Sequence, residues 1–234
     1  MAKKSQLPRS FNHQQALVIG LGQFGVSLAR SLTRRGVEVM AVDVKMERVD
    51  AISDEVADAI CMDAADEASL AKTAPGRRDV SICAIGDDSR ENSIIVTALL
   101  KQMGAPHIIA RATDPVHERI LTLVGAHEVL NPERAFGERL AARLSSQNVL
   151  DEIPLGTGLV VSDIRPPAYV VGRTLAELAL PRSHKMTVVA IRRPTETGVT
   201  THLPDPMVPI GPDEILTVVA APGVASAFAS SGKS

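Results

Sequence analysis

Three glycines and one carboxylate give the first sign of chemistry in this sequence. Gly20, Gly22 and Gly25 stand between the apolar run "ALVIG" and an amphipathic segment, and Asp43 closes the next apolar run, "VEVMAVD". In such a pattern the glycines permit a tight turn, a close approach of the backbone to a diphosphate, and close packing of helix on strand. Helix amides would stabilise the phosphates, and the carboxylate would accept hydrogen bonds from ribose hydroxyls. The pattern predicts an adenosine nucleotide site.

The sequence offers little that could carry out a reaction on such a nucleotide. Tyr169, the one tyrosine, is followed by "VVGR" and forms no Tyr-x-x-x-Lys pair, and the P-loop motif G-x-x-x-x-G-K-[ST] does not occur. The six histidines are scattered along the chain. Cys61 and Cys83 lie inside apolar runs without a CxxC partner and are expected to behave as small core residues. We predict a protein that is not an enzyme, with a small NAD(P)-dependent oxidoreductase as an alternative.

The elements that must position these residues follow an alternation of strands and helices. The runs "ALVIG", "VEVMAVD", "ADAICMD", "DVSICAIG", "HIIARA" and "HEVLN" predict six strands. Helices are predicted over residues 23–35, 45–53, 67–71, 89–103, 115–124 and 132–147. Such βαβ units build a parallel sheet, so we predict a Rossmann-type, doubly wound α/β domain.

The pattern changes after about Leu150, where strands are no longer separated by long helices. "LDEIPLGTG" is predicted to be a connector and "RRPTETGVTTHLPDPMVPIGPDE" a mobile loop, while "LVVSDI", "MTVVAIRR" and "EILTVVA" predict strands. Short helices are predicted at "TLAELAL" and "VASAFASS". We therefore predict a flexible N-terminus over residues 1–12, a nucleotide-binding domain over 13–149 and a small α+β domain over 150–234.

Composition argues against several classes of function. The chain has 25 basic and 27 acidic residues, a formal net charge of -2 and only 2% aromatic residues, so we expect no nucleic-acid binding. No apolar run approaches the roughly 20 residues that span a bilayer. The start, "MAKKSQLPRS", lacks the apolar stretch of a signal peptide. We expect a soluble, cytoplasmic protein.

Several motifs then occur in a fixed order along the chain. They are "VIGLGQFG" at the first turn, "MDAADE" after the third strand, "GAHEVLNPE" before the last helix of the first domain and "VVAIRR" late in the chain. In these motifs the sequence resembles the RCK domains, also called KTN domains, of regulatory subunits of Ktr and Trk potassium uptake systems. The resemblance covers essentially the whole chain, because the second domain is similar to the TrkA-C module of that family.

The resemblance implies a regulatory function. Such subunits form cytoplasmic rings of dimers, typically octameric, on a membrane potassium-translocating subunit of the Ktr or Trk type, and ATP, ADP or, in some members, NAD(H) alters the ring. A ligand can bias a ring only through its different affinities for two shapes. We expect a gating subunit held at the inner face of the membrane by its partner. A nucleotide-responsive regulator of another transporter is a further alternative.

The resemblance also implies which residues contact the nucleotide. The diphosphate loop corresponds to Gly20, Leu21, Gly22, Gln23, Phe24 and Gly25. The ribose and adenine contacts correspond to Asp43, Val44, Asp63 and Ala64, and the loop after the fourth strand corresponds to Ile85, Gly86 and Asp87. Arg111 stands where related sequences often have a cation near the phosphates.

Two further ligands are implied by the same family. Glu133 matches an acidic residue that, in ATP-bound members, helps to hold Mg²⁺ or another cation between γ-phosphates of neighbouring subunits. Some relatives bind cyclic di-AMP in the C-terminal domain, but Pro181 stands where we expect the arginine, and Arg182 lies one place away. We expect dimerisation as the main role of this domain and keep cyclic di-AMP as an alternative ligand.

Gln23 is the main departure from the family pattern. Many ATP-responding relatives have "GLGRFG", and the arginine there reaches the γ-phosphate of a neighbouring subunit. Glutamine brings no charge and cannot form the charged, forked contact that phosphate recognition exploits. We therefore predict weaker discrimination between ATP and ADP, or a preference for a diphosphate such as ADP or NAD(H).

Overall fold

The computed structural model describes residues 14–86, 89–145, 148–195 and 198–231. The chain divides into two compact units, the first ending at Glu133 and the second beginning at Arg134. This division lies within a helix and ahead of the domain boundary predicted at residues 149 and 150, which stays a prediction. The flexible N-terminus predicted over residues 1–12 lies outside the described residues.

The first unit is a six-stranded parallel sheet in the order β3-β2-β1-β4-β5-β6. Its strands are β1 (Gln15–Ile19), β2 (Glu38–Asp43), β3 (Asp58–Cys61), β4 (Val80–Cys83), β5 (Ile108–Arg111) and β6 (Glu128–Leu130). The helices are α1 (Gln23–Thr33), α2 (Met46–Asp50), α3 (Glu67–Ala71), α4 (Arg90–Gln102), α5 (Pro115–Val124) and α6 (Pro132–Ser145), the last of which continues past the division. The predicted Rossmann-type, doubly wound sheet is confirmed, because its strand order reverses between β1 and β4.

The central strands are apolar along their length because both faces of the sheet are covered. In β1, Leu17 and Ile19 join one buried cluster, whereas Ala16 and Val18 join the other. Successive side chains of a strand point to opposite faces, so one short run of aliphatic residues supplies both cores. This packing fixes the ends of the strands, where the candidate site lies.

The second unit is a five-stranded antiparallel sheet in the order β10-β9-β11-β8-β7. Its strands are β7 (Val149–Leu155), β8 (Leu159–Ile164), β9 (Thr187–Thr195), β10 (Gly198–His202) and β11 (Ile215–Ala220). The helices are α7 (Leu175–Leu178), α8 (Leu180–Ser183) and α9 (Val224–Ser230). The predicted small α+β fold is confirmed. In the part of the chain that the structure describes, no helix is long and apolar enough to cross a membrane.

Two predictions about the second unit were wrong. The segment predicted to be a connector forms β7, which pairs with β8, and β9 continues through Pro194 to pair with β10 in the segment predicted to be a loop. Both β7 and β10 are edge strands, and β7 tolerates Pro154 because one row of its backbone groups needs no ladder partner. Pro194 lies in β9 beyond Arg192, where the register with β11 ends. An edge strand also carries more polar residues, so its apolar alternation is weak.

Candidate functional site

A cavity of about 630 Å³ lies at the carboxyl ends of strands β1 to β5. In doubly wound sheets ligands bind at this edge, in the crevice where the strand order reverses. The lining includes nine of the residues that the resemblance assigned to a nucleotide: Gly20, Gly22, Asp43, Val44, Asp63, Ala64, Ile85, Gly86 and Arg111. The fold thus brings together residues that are spread over more than ninety positions of the sequence, from 20 to 111.

Two glycines of the loop are required by close packing. Gly20 has a φ of +95°, and a Cβ atom there would lie 2.9 Å from the backbone nitrogen of Ile85. A Cβ atom on Gly25 would lie 1.9 Å from the carbonyl oxygen of Gly20. Both contacts are with backbone, so neither position can accept a side chain without moving the loop.

Gly22 differs from the other two glycines because space is open beside it. A Cβ atom there would meet nothing within 4 Å. Gly22 is the N-cap of α1, and it has no side chain to accept a hydrogen bond from the first amides of the helix. Those amides therefore stay available to an anion that lies against the loop.

The carboxylate of Asp43 holds the glycine loop in place. It is 5% exposed, and its Oδ2 accepts hydrogen bonds from the amide of Leu21 at 2.6 Å and from the Arg48 guanidinium at 3.4 Å. Its Oδ1 accepts from the amide of Lys45 at 2.9 Å. A carboxylate has about four lone-pair positions, so it can still accept from a ribose hydroxyl. The sequence analysis predicted the ribose contact but not this bracing of the loop.

Other predicted residues lie beside the cavity rather than on its lining. Leu21 is buried, and Phe24 packs partly buried against the core. Gln23 lines a second pocket of about 650 Å³, together with Arg30 and Arg34. Gly22 and Arg48 line both pockets. Asp87 lies outside the described residues.

Arg111 and Glu133 form an ion pair at the rim of the cavity. The distance from Arg111 Nη2 to Glu133 Oε1 is 2.5 Å. The Arg111 side chain is 15% exposed and the Glu133 side chain 60%. No group of three or more potential metal-ligating side chains occurs among the residues that the structure describes. A cation at Glu133 would thus need most of its oxygen ligands from a bound nucleotide.

Several lining residues were missed in the sequence analysis. Ser89 and Asn92 lie at the start of α4, which follows β4 at the reversal point, and Lys45 and Arg48 lie at the start of α2. A signal was available for the first pair, because polar residues that open a helix directly after a strand face this edge of a doubly wound sheet. The same signal applied to Arg48, which lies in the first turn of α2 directly after β2.

Cys83 and His117 are of residue types that can act in catalysis, but both side chains are buried. Cys83 is buried, and burial raises the pKa of its thiol to about 11, so the thiolate is scarce near neutral pH. His117 is 3% exposed, and its Nε2 lies 2.7 Å from Ser93 Oγ, between α5 and α4. These contacts agree with the core role predicted for Cys83 and give His117 a structural role.

Comparison with known proteins places the chain in a family. It matches the TrkA-N domain family over residues 16–132 and the TrkA-C domain family over residues 159–231. It is 34% identical over 183 residues to the Ktr system potassium uptake protein C of Bacillus subtilis, with 78% of this chain and 82% of that protein covered. It is 31% identical over 209 residues to the Ktr system potassium uptake protein A of Vibrio alginolyticus, with 87% and 94% covered.

A solved structure shares the fold of both units. The GsuK channel bound to NAD superposes with a TM-score of 0.63 at 16% identity, and the match covers 95% of this chain but 40% of the channel chain. At that identity the likeness concerns the fold alone. The two domain families, their order and the sequence relatives together show that this chain belongs to the RCK family of Ktr and Trk potassium uptake proteins, as a TrkA-N domain followed by a TrkA-C domain.

Proposed function

We propose that this chain is the regulatory subunit of a potassium uptake system and that it senses an adenine nucleotide in the cavity at the strand ends. The observation that carries the proposal is the gathering of the nine predicted residues around one cavity at the reversal point of the sheet. Its relatives are potassium uptake proteins by name, and the GsuK channel, which has the same fold, binds NAD.

Each part of the cavity suits one part of the nucleotide. The open amides at the start of α1, next to Gly22, would hold the diphosphate. Asp43 would accept from the ribose, and the loop at Asp63 and Ala64 would border the adenine. Arg111 would meet the phosphates from the opposite side of the cavity, because it ends β5 on the far side of the reversal point.

Regulation would follow from oligomerisation. A cytoplasmic ring of dimers, docked on a membrane potassium-translocating subunit, would change shape when its nucleotide changes, provided that the two shapes bind the nucleotide with different affinity. The TrkA-C domain would supply a dimer contact, and cyclic di-AMP is kept as an alternative ligand for it. A cation such as Mg²⁺ would be held by Glu133 and by phosphate oxygens.

The proposal is tested first by binding. We expect one molecule of ATP, ADP or NAD(H) per chain in calorimetric titration, with an affinity that falls at least tenfold in Asp43→Ala. That variant removes the ribose acceptor and the brace on the loop. Asp50→Ala is the matched control, because Asp50 is an exposed aspartate at the end of the neighbouring helix α2. Equal affinity in the two variants would contradict the assigned site.

Transport provides the second test. Cells that express a potassium-translocating membrane subunit from the same genome should take up potassium at a rate that depends on this chain. The Asp43→Ala variant should lose that dependence, whereas Asp50→Ala should keep it. Turnover of NADH in the presence of a panel of carbonyl substrates, with no effect on potassium uptake, would instead favour the oxidoreductase alternative.

A further inference from the structure

The ion pair between Arg111 and Glu133 has a feature that a surface pair lacks. Arg111 Nη2 is bound to Glu133, whereas its Nε is buried and has no hydrogen-bond partner among the described residues. The guanidinium also lies directly against Gly86, because a Cβ atom on that glycine would lie 2.3 Å from Arg111 Nη1. The arginine is therefore packed into the wall of the cavity, and its guanidinium points along the rim toward Glu133.

Glu133 occupies a position that suits a phosphate. A guanidinium offers its donors as a planar fork that matches a carboxylate or a phosphate equally well. Glu133 takes one edge of that fork with a single oxygen, from a side chain that is 60% exposed. A phosphate group in the cavity would carry more charge and could accept from two guanidinium nitrogens. The carboxylate and the phosphate would then compete for one cation.

We propose that Glu133 is a built-in competitor for the phosphates of the nucleotide. Glu133 neutralises Arg111 when no nucleotide is bound, and a bound diphosphate or triphosphate displaces it. Displacement removes one contact between the first turn of α6, where Glu133 lies, and the end of β5. The inference depends on the proposed nucleotide site and adds to it a reason why phosphate, rather than the nucleoside, produces the response.

Removing divalent cations separates this competition from the proposed role of Glu133 as a cation ligand, because without a cation only the charge of Glu133 acts on the phosphates. In EDTA, where no divalent cation can bind, Glu133→Gln should bind ADP about threefold to fivefold more tightly than the wild type, in keeping with the small coupling energy of a partly exposed pair. Adenosine affinity should not change, since adenosine has no phosphate to reach Arg111. Glu138→Gln is the control, because it removes the same charge from an exposed position of the same helix.

Titration calorimetry of the full-length chain, stripped of nucleotide, separates the outcomes. ADP affinity that is unchanged or lower in Glu133→Gln would overturn the inference, as would an equal gain in Glu138→Gln or an equal gain for adenosine. If the wild type binds ADP but Glu133→Gln does not bind ADP more tightly than the wild type, only the inference fails. If the wild type binds neither ATP, ADP nor NAD(H), the proposed nucleotide site itself fails.

Discussion

Asp43 performs a structural task and faces the cavity at the same time. Its carboxylate accepts from the amide of Leu21 in the glycine loop and from Lys45 at the start of α2. The sequence predicted that Asp43 contacts the ribose, because nucleotide-binding sites of this type have a carboxylate at the end of the second strand. The brace could not be predicted, because it depends on the φ and ψ angles of a loop that closes in three dimensions.

Gln23 is a second residue whose surroundings could not be predicted from the sequence. Its departure from the family pattern is visible in the sequence, but its surroundings are not. The side chain lines a pocket with Arg30 and Arg34, and this pocket shares only Gly22 and Arg48 with the nucleotide cavity. Within one chain Gln23 therefore does not line the predicted nucleotide cavity.

The substitution Gln23→Arg tests this residue directly. It adds a charged, forked donor, so we expect the ratio of ATP affinity to ADP affinity to rise about tenfold, which corresponds to roughly 1.4 kcal/mol. Calorimetric titration of both nucleotides into wild type and variant measures the ratio. Gln23→Lys is a useful comparison, because it adds the charge without the fork. An unchanged ratio in Gln23→Arg would show that Gln23 does not weaken ATP discrimination.

Among the elements, the strands with two covered faces were predicted best. All six strands of the first unit and the short helix α3 lie where the apolar runs placed them. The edge strands β7 and β10 were missed, because each has a solvent-facing side and polar or proline residues. The edge strands β3 and β6 were still predicted, because they belong to the regular alternation of strands and helices that the second unit lacks.

The junction of β5 and β6 contains a histidine whose protonation would break a hydrogen bond. His127 Nδ1 accepts from the amide of Ile108 at 2.9 Å. The ring stacks on His107 at 5.6 Å, and the Lys101 ammonium lies 3.5 Å from its Nε2. Partial burial, helped by the charges of Lys101 and His107, lowers the pKa of His127 below its ordinary value of 6.5.

This lowered pKa predicts how stability depends on pH. The unfolded chain takes up the proton near pH 6.5, whereas the folded chain resists it, so the free energy of unfolding should decrease as pH falls from about 6.5 through the folded pKa. His127→Gln should reduce that slope in urea unfolding at pH 7, 6 and 5. His202→Gln, an exposed histidine on β10, should leave the slope unchanged. Equal slopes in both variants would contradict the role of His127.

At the scale of the whole molecule, the order of the two domains was predictable and their assembly was not. The TrkA-N and TrkA-C matches confirm the order that the motifs indicated. A ring of dimers is formed by contacts between copies, and those contacts leave no periodic pattern in one sequence. The predicted octamer comes from the family resemblance and stays a prediction.

The central claim is that this chain is an oligomeric sensor loaded with an adenine nucleotide. Native mass spectrometry of the purified protein tests it most directly, because one spectrum gives both the number of 24.8 kDa chains and the mass of whatever they hold. We predict an octamer, or its dimer building block, with one adenine nucleotide per chain after incubation with ATP, ADP or NAD(H). A monomer that carries no nucleotide after incubation with all of them would contradict the account.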